Sequence, residues 1–224
     1  METIYDRTKL VFKDDFQRIR QSKILLIGVG GVGGYIFEML CRIGVGQITV
    51  VDGDTFSFSN LNRQVLSTIS VIGKSKVEVA KDRAKEINTD TIVTPIFARL
   101  NENNMGEIVD SGYDYVIDAI DDTMAKVHLM RFCKEKNIPL LSSMGTGNRK
   151  GIPHYEVVDI SKTSYDRLAR KLRTELKKYC IHKGVNVCYT KSPLDNNEKL
   201  GSVVYHPLMC AGTMVSFVIN ELTK

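Results

Sequence analysis

The chain has 224 residues, 43% of them hydrophobic and 25% charged, which suffices for one well-buried core and excludes a disordered polymer. Its formal charge of +5 is unevenly spread: residues 161–191 hold nine basic side chains against Asp166 and Glu175, an asymmetry that suits a region meeting a polyanion as well as it suits a solvated helix face. Charged residues from Glu2 onward and the lack of any apolar run of about 18 residues predict neither a signal peptide nor a membrane span.

In chain order, Lys23–Gly28 is a short apolar run stopped by glycine and reads as a buried strand. Residues 32–43 are apolar on most faces and read as a buried helix opening at the glycines. Gln47–Val51 is the next strand, followed by a polar loop as far as Arg63. Residues 75–88 read as a helix, 91–97 as a strand, 115–118 as a buried strand, 123–136 as a helix and 138–142 as a strand preceded by the turn residue Asn137. Strands alternating with helices imply right-handed βαβ units: an α/β, Rossmann-like, doubly wound and mainly parallel sheet. After Gly151 the pattern changes to strands at 154–158, 185–190 and 201–205, a basic helix within about 161–183, and a last helix from Leu208, so antiparallel strands are expected in the C-terminal part. No repeat or linker interrupts the chain, which reads as one domain over residues 1–224.

The turn Gly28-Val29-Gly30-Gly31-Val32-Gly33 joins a strand to a helix, and Asp52 follows at the end of the second strand. Glycines let backbone N–H groups approach phosphate, and an acid in that position accepts from ribose hydroxyls. This much suits NAD, FAD or ATP equally. The following loop separates them. Asp52, Asp54, Ser59, Asn60, Asn62, Arg63 and Gln64, then Lys74 and Lys76, form a density of polar groups that a triphosphate needs, since arginine forks onto phosphate oxygens and lysine adds a point charge. Asp121 follows a strand, at the sheet edge where ligands of open α/β sheets bind, in position to hold Mg²⁺. Taken singly, Asn60 and Asn62 are ordinary turn formers and Asp121 an ordinary helix cap.

The ordered set G-x-G-G-x-G, D-x-D, S-N-x-x-R-Q, K-x-K and D-A-I-D, over residues 7–145, resembles the ubiquitin-activating-enzyme-like adenylyltransferases, among them the molybdopterin-synthase and thiamine-sulfur-carrier adenylyltransferases. The resemblance implies ATP and Mg²⁺ as cofactors, with Gly28, Gly30, Gly31 and Gly33 around the phosphates and Asp52 on the ribose. It places Asp54, Ser59, Asn60, Asn62, Arg63, Gln64 and Lys76 along the nucleotide, with Arg63, Lys76 and Asp121 as the catalytic groups and Asp121 on the metal.

The second half narrows the likeness. Members acting on ubiquitin-like proteins carry C-x-x-C pairs, whereas Cys41, Cys133, Cys180, Cys188 and Cys210 form none. The stretches Val158–Thr163, Asp166–Arg173, Val185–Thr190 and Leu200–Val204 are similar to the tRNA threonylcarbamoyladenosine dehydratases. That implies ATP-driven cyclisation of threonylcarbamoyladenosine at tRNA position 37, with release of AMP and pyrophosphate. The alternative is an enzyme activating the C-terminal glycine of a sulfur-carrier protein. Lys162, Arg167, Arg170, Lys171, Arg173, Lys177 and Lys178 are then candidates for tRNA phosphates, with Leu168, Leu172, Leu176 and Tyr179 facing the core. The family's paired arginines before the first strand are represented only by Arg7 and Lys9. Relatives use an arginine there across a dimer interface, and the resemblance implies a homodimer and a link to a cysteine desulfurase system. The odd cysteine count and the absent export signal place the chain in a reducing cytoplasm. Cys188 and Cys210 sit in apolar segments and are expected to be structural; His128, His154, His182 and His206 lack ligand spacing.

Overall fold

The computed structural model describes residues 2–109, 112–195 and 201–224. Two short helices, α1 (Asp6–Phe12) and α2 (Phe16–Gln21), lead into β1 (Lys23–Ile27), α3 (Gly31–Ile43) and β2 (Gln47–Val51). Then follow α4 (Lys76–Ile87), β3 (Ile92–Ile96), α5 (Met105–Val109), β4 (Tyr115–Asp118), α6 (Thr123–Lys136) and β5 (Leu140–Ser143). The last elements are β6 (Glu156–Asp159), α7 (Arg167–Lys177), β7 (Asn186–Tyr189) and α8 (Tyr205–Leu222).

The seven strands form one sheet in the order β3-β2-β1-β4-β5-β7-β6. All neighbours are parallel except β6, which runs antiparallel to β7. β1 is buried on both faces: Ile24 and Leu26 join the core under α3, α4 and α8, while Leu25 and Ile27 join the core under α5, α6 and α7. A strand covered on both sides reads as a continuous apolar run, which is why it was recognisable. The chain winds outward from β1 through β2 to β3, then returns to β4 on the other side. The strand order therefore reverses between β1 and β4, the place where open α/β sheets bind ligands at their carboxyl ends.

Three expectations change. Residues 201–204 form no strand, and the last helix begins at Tyr205 rather than Leu208. Pro207 is compatible with that start because N–H groups in the first turn have no intrahelical acceptor to lose. The antiparallel part is thus the single β6–β7 pair, and Leu200 of the Leu200–Val204 motif lies outside the described residues. Finally, Tyr179 is 38% exposed beyond the end of α7, under the Arg131 guanidinium at 4.8 Å from its ring; Ala169, Leu172 and Leu176 form the buried face instead. Asn137 does end α6, in the left-handed conformation at φ 55°.

No helix among the described residues is long and apolar enough to cross a membrane. Cys41, Cys133, Cys188 and Cys210 are buried, and Cys180 is exposed. Burial pushes the Cys41 and Cys133 thiols up to about 12. The contact with Cys210 (Sγ–Sγ 3.7 Å) and burial raise that of Cys188. Thiolates are the reactive form, so iodoacetamide at neutral pH is expected to label one thiol per native chain and all five after denaturation. Mass spectrometry reads this directly, and native labelling at Cys188 or Cys210 would contradict the buried assignment.

Candidate functional site

The glycine turn divides into two jobs. Gly28 takes φ +88°, and a Cβ there would lie 2.7 Å from the Ala119 carbonyl oxygen; one on Gly33 would lie 1.8 Å from the Gly28 oxygen. These two glycines let the turn press against the end of β4. Gly30 and Gly31 face the polar loop, with Gln64 Nε2 3.8 Å from the Cβ position of Gly30 and Arg63 Cγ 3.7 Å from that of Gly31. The turn opens α3, whose first N–H groups lack helical acceptors.

Asp52 ties this turn to the next strand. One carboxylate oxygen accepts from the Val29 N–H (2.7 Å) and the other from the Asp54 N–H (2.9 Å). A carboxylate offers about four lone pairs, so acceptor capacity for a ribose hydroxyl is left over. Lys76 is brought to the same place by backbone pairing of two distant segments. Phe56 donates to Lys74 (3.0 Å), Lys76 donates to Asp54 (3.1 Å), and the buried Phe56 ring anchors the loop. The Lys76 side chain is 7% exposed, with Nζ 3.2 Å from Asp54 and 3.9 Å from Asp52. Burial opposes the Asp54 carboxylate, but Lys76 and Arg99 outweigh it and hold this carboxyl below its usual range.

The segment after Phe56 is partly scaffolding. Asn60 is buried and its side-chain oxygen accepts from the Ser57 N–H at 3.0 Å, closing a short 3₁₀ turn over Phe58–Asn60. Ser59 is exposed and shares a 3.0 Å hydroxyl contact with Ser57. Asn62 donates to the Ser202 carbonyl (3.1 Å) and accepts from Arg63 (2.9 Å). Arg63 also donates to the Ser59 carbonyl (2.7 Å), which holds its guanidinium along the loop. Gln64 is buried, and its side-chain oxygen has no partner among the described residues. A buried unpaired acceptor is costly, and a bound ligand's donor would relieve it.

At the end of β4, Asp122 rather than Asp121 caps α6, accepting from the Ala125 N–H at 2.7 Å. Asp121 is left exposed, two residues from the Ala119 carbonyl that abuts Gly28. The structure thus gathers the glycines, Asp52, Asp54, Arg63, Gln64, Lys76 and Asp121 around the point of strand reversal. Asn60 and Asn62 are spent on the loop itself.

Two features escaped the sequence. Arg99, just past β3, pairs with Asp54 at 2.8 Å, a long-range contact with no local signal. Beneath Asp121, Asp118 and Lys126 are both fully buried and 2.8 Å apart. Lys126 also donates to the Ser142 hydroxyl (3.1 Å) and the Ser143 carbonyl (2.9 Å), while Asp118 accepts from Ser142 (2.6 Å) and the Ile120 N–H (2.9 Å). The network locks the ends of β4 and β5 and the turn that carries Asp121.

The basic helix α7 stands apart from the loop and packs on α6. Its start is fixed by Asp166, which accepts from the Ala169 N–H (2.8 Å) and pairs with the buried Arg149 at 3.1 Å. Of the tRNA candidates, Arg173 donates to the Thr163 carbonyl (3.1 Å) and hydroxyl, and Lys178 pairs with Glu175 at 2.6 Å. Lys162, Arg167, Arg170, Lys171 and Lys177 are exposed. His206 is buried against Tyr155 (3.2 Å); burial and then Arg149 push its imidazole below its usual value.

The chain resembles known proteins over nearly all its length. A model of the ThiF family matches residues 5–224. The tRNA threonylcarbamoyladenosine dehydratase of Bacillus subtilis (strain 168) is 38% identical over 192 residues, covering 85% of this chain and 76% of that protein. The dehydratase of the same name from Haemophilus influenzae is 38% identical over 170 residues, covering 76% of this chain and 65% of that protein. The crystal structure of E. coli tRNA N6-threonylcarbamoyladenosine dehydratase in complex with ATP matches with a TM-score of 0.94 at 30% identity, covering 97% of this chain and 93% of that one.

Proposed function

The chain belongs to the ThiF family, and from that premise we propose that it is an ATP-dependent tRNA threonylcarbamoyladenosine dehydratase acting at tRNA position 37. The observation that carries the tRNA part is the basic helix: α7 packs on α6, whose first turn follows Asp121 by two residues, and Arg170, Lys171 and Lys177 on it have no ion-pair partner among the described residues. The likeness to dehydratases over most of the chain supports the same reading.

In the reaction, an oxygen of the threonylcarbamoyl carboxylate attacks the α-phosphorus of ATP, and the bond to the β-phosphate oxygen breaks to release pyrophosphate. A nucleophile within the same modification then attacks the activated acyl carbon, and AMP leaves as the ring closes. No enzyme nucleophile is required. The protein's part is positioning and charge neutralisation. Asp52 orients the ribose, the Gly30–Gly31 backbone lies along the phosphates, and Arg63, Gln64 and Lys76 meet the phosphate oxygens. Lys76 is held before ATP arrives by Asp52 and Asp54, so little reorganisation accompanies charge development.

Asp121 is the residue that would hold the Mg²⁺ ion accompanying ATP, which would neutralise phosphate charge there. Mg²⁺ is bound through one or two carboxylates plus phosphate oxygens. That suits the exposed carboxylate of Asp121 at this edge. A homodimer is supported by the exposed apolar side chains Ile4, Leu10 and Val11 near the N-terminus, which a second subunit would cover. A tRNA-modifying enzyme belongs in the cytoplasm.

The test is AMP release from ATP and Mg²⁺ with tRNA bearing threonylcarbamoyladenosine, with unmodified tRNA, and with a sulfur-carrier protein. AMP is expected only with the modified tRNA. Release with the carrier protein alone would transfer the site to the alternative adenylyltransferase reading, and release with none would leave a nucleotide-binding protein without this activity.

A further inference from the structure

Between the first turn of α6 and the outer face of α7 lies a groove of about 480 Å³, lined by Thr123, Met124, Arg170, Lys171, Thr174 and Glu175. It begins two residues beyond Asp121, so within about 7 Å of backbone from that residue. We infer that this groove seats the RNA strand next to the modified nucleotide, with Arg170 and Lys171 on its phosphates. The inference rests on the tRNA reading above and adds to it the path the strand takes away from the reacting carboxylate.

Charge carries the argument. Glu175 is the acid in the groove's lining, and it is engaged with Lys178 at 2.6 Å. Arg170 and Lys171 are exposed and lack ion-pair partners among the described residues, so the groove keeps two uncompensated cations. Arginine and lysine fit phosphate oxygens, and the volume is in the range of small-molecule sites, enough for one nucleotide. Met124 is 43% exposed and offers a polarizable apolar platform for a base, while the Thr123 and Thr174 hydroxyls suit ribose and phosphate. An acidic peptide would use the two cations but neither the platform nor the hydroxyls. By contrast, Arg173 is occupied by Thr163 on another side of the helix.

The test compares wild type, Arg170→Gln/Lys171→Gln, and Lys81→Gln/Lys85→Gln on α4, which covers the opposite face of the sheet. With modified tRNA, the groove variant is expected to raise KM on the order of 10-fold or more, leaving kcat and the KM for ATP within about twofold. Two lost phosphate contacts reduce the slope of log affinity against log salt by about 2. The α4 variant is expected to match wild type. Unchanged KM and salt slope in a groove variant whose wild type is active on modified tRNA would overturn the groove, while that activity would keep the tRNA reading standing without Arg170 and Lys171. A groove variant that loses activity on a carrier protein instead would overturn it in favour of a peptide partner. A wild type inactive on modified tRNA would sink the tRNA reading itself. Thermal melts check the folding of each variant.

Discussion

Lys76→Ala is expected to slow AMP formation by about 10²–10³-fold, the usual cost of removing one preorganised donor from a charge-stabilising site. The ammonium is nearly buried yet held by only Asp54 and Asp52, both of which keep other partners when it is removed: Arg99 for Asp54, and the Val29 and Asp54 N–H groups for Asp52. The melting temperature should therefore move little while the rate collapses. Arg63→Ala is expected to act in the same direction, because its side-chain stem lies beside Gly31 and its guanidinium is fixed by the Ser59 carbonyl. Steady-state AMP release, with circular dichroism as the folding control, separates the two effects. Full activity in both variants would refute the site.

The second large effect is on stability. Lys126→Met leaves Asp118 fully buried with no counter-charge and is expected to cost about 3–5 kcal/mol, since breaking a buried pair strands a charge. Set against a typical domain stability of about 5–15 kcal/mol, this is a large fraction. For a chain of this size it corresponds to a fall in Tm of about 6–20 °C. Removing both charges, as Asp118→Ala/Lys126→Met, should recover part of the loss, because the remaining groups no longer demand compensation. Urea melts of the single and double variants check this. A loss below about 1 kcal/mol in the single variant would mean that Asp118 is reached by water or carries its proton without cost.

The two effects meet in the turn after β4. Asp118 accepts from the Ile120 N–H, and Ala119 is pressed against Gly28, so the buried pair and the glycine turn hold Asp121 from two sides. Asp121 itself gains nothing from either contact in the folded chain. Its exposure at the point of strand reversal is intelligible as a position kept for a ligand, and the unpaired Gln64 oxygen points the same way.

Local chemistry alone determined the alternation of apolar runs and helices, the glycine turn after β1, the acid after β2 and the polar loop that favoured ATP over a dinucleotide. These signals are short-range: a buried parallel strand needs a continuous apolar run, and a phosphate turn needs glycine wherever backbone approaches backbone. The start of α8 falls at Tyr205 rather than Leu208, since Pro207 is harmless in a first turn, where no intrahelical hydrogen bond is lost. Tyr179 was assigned to the core by period alone, yet α7 ends at Lys177, and the period has no meaning past the last helical residue. What tertiary structure decided was partnership across distance. Asp118 with Lys126, Asp54 with Arg99, and the pairing of the Asp54–Phe56 loop with the segment before α4 join residues whose sequence neighbours say nothing of one another. The burial that makes such a charge pair so consequential exists only after the sheet has closed over it.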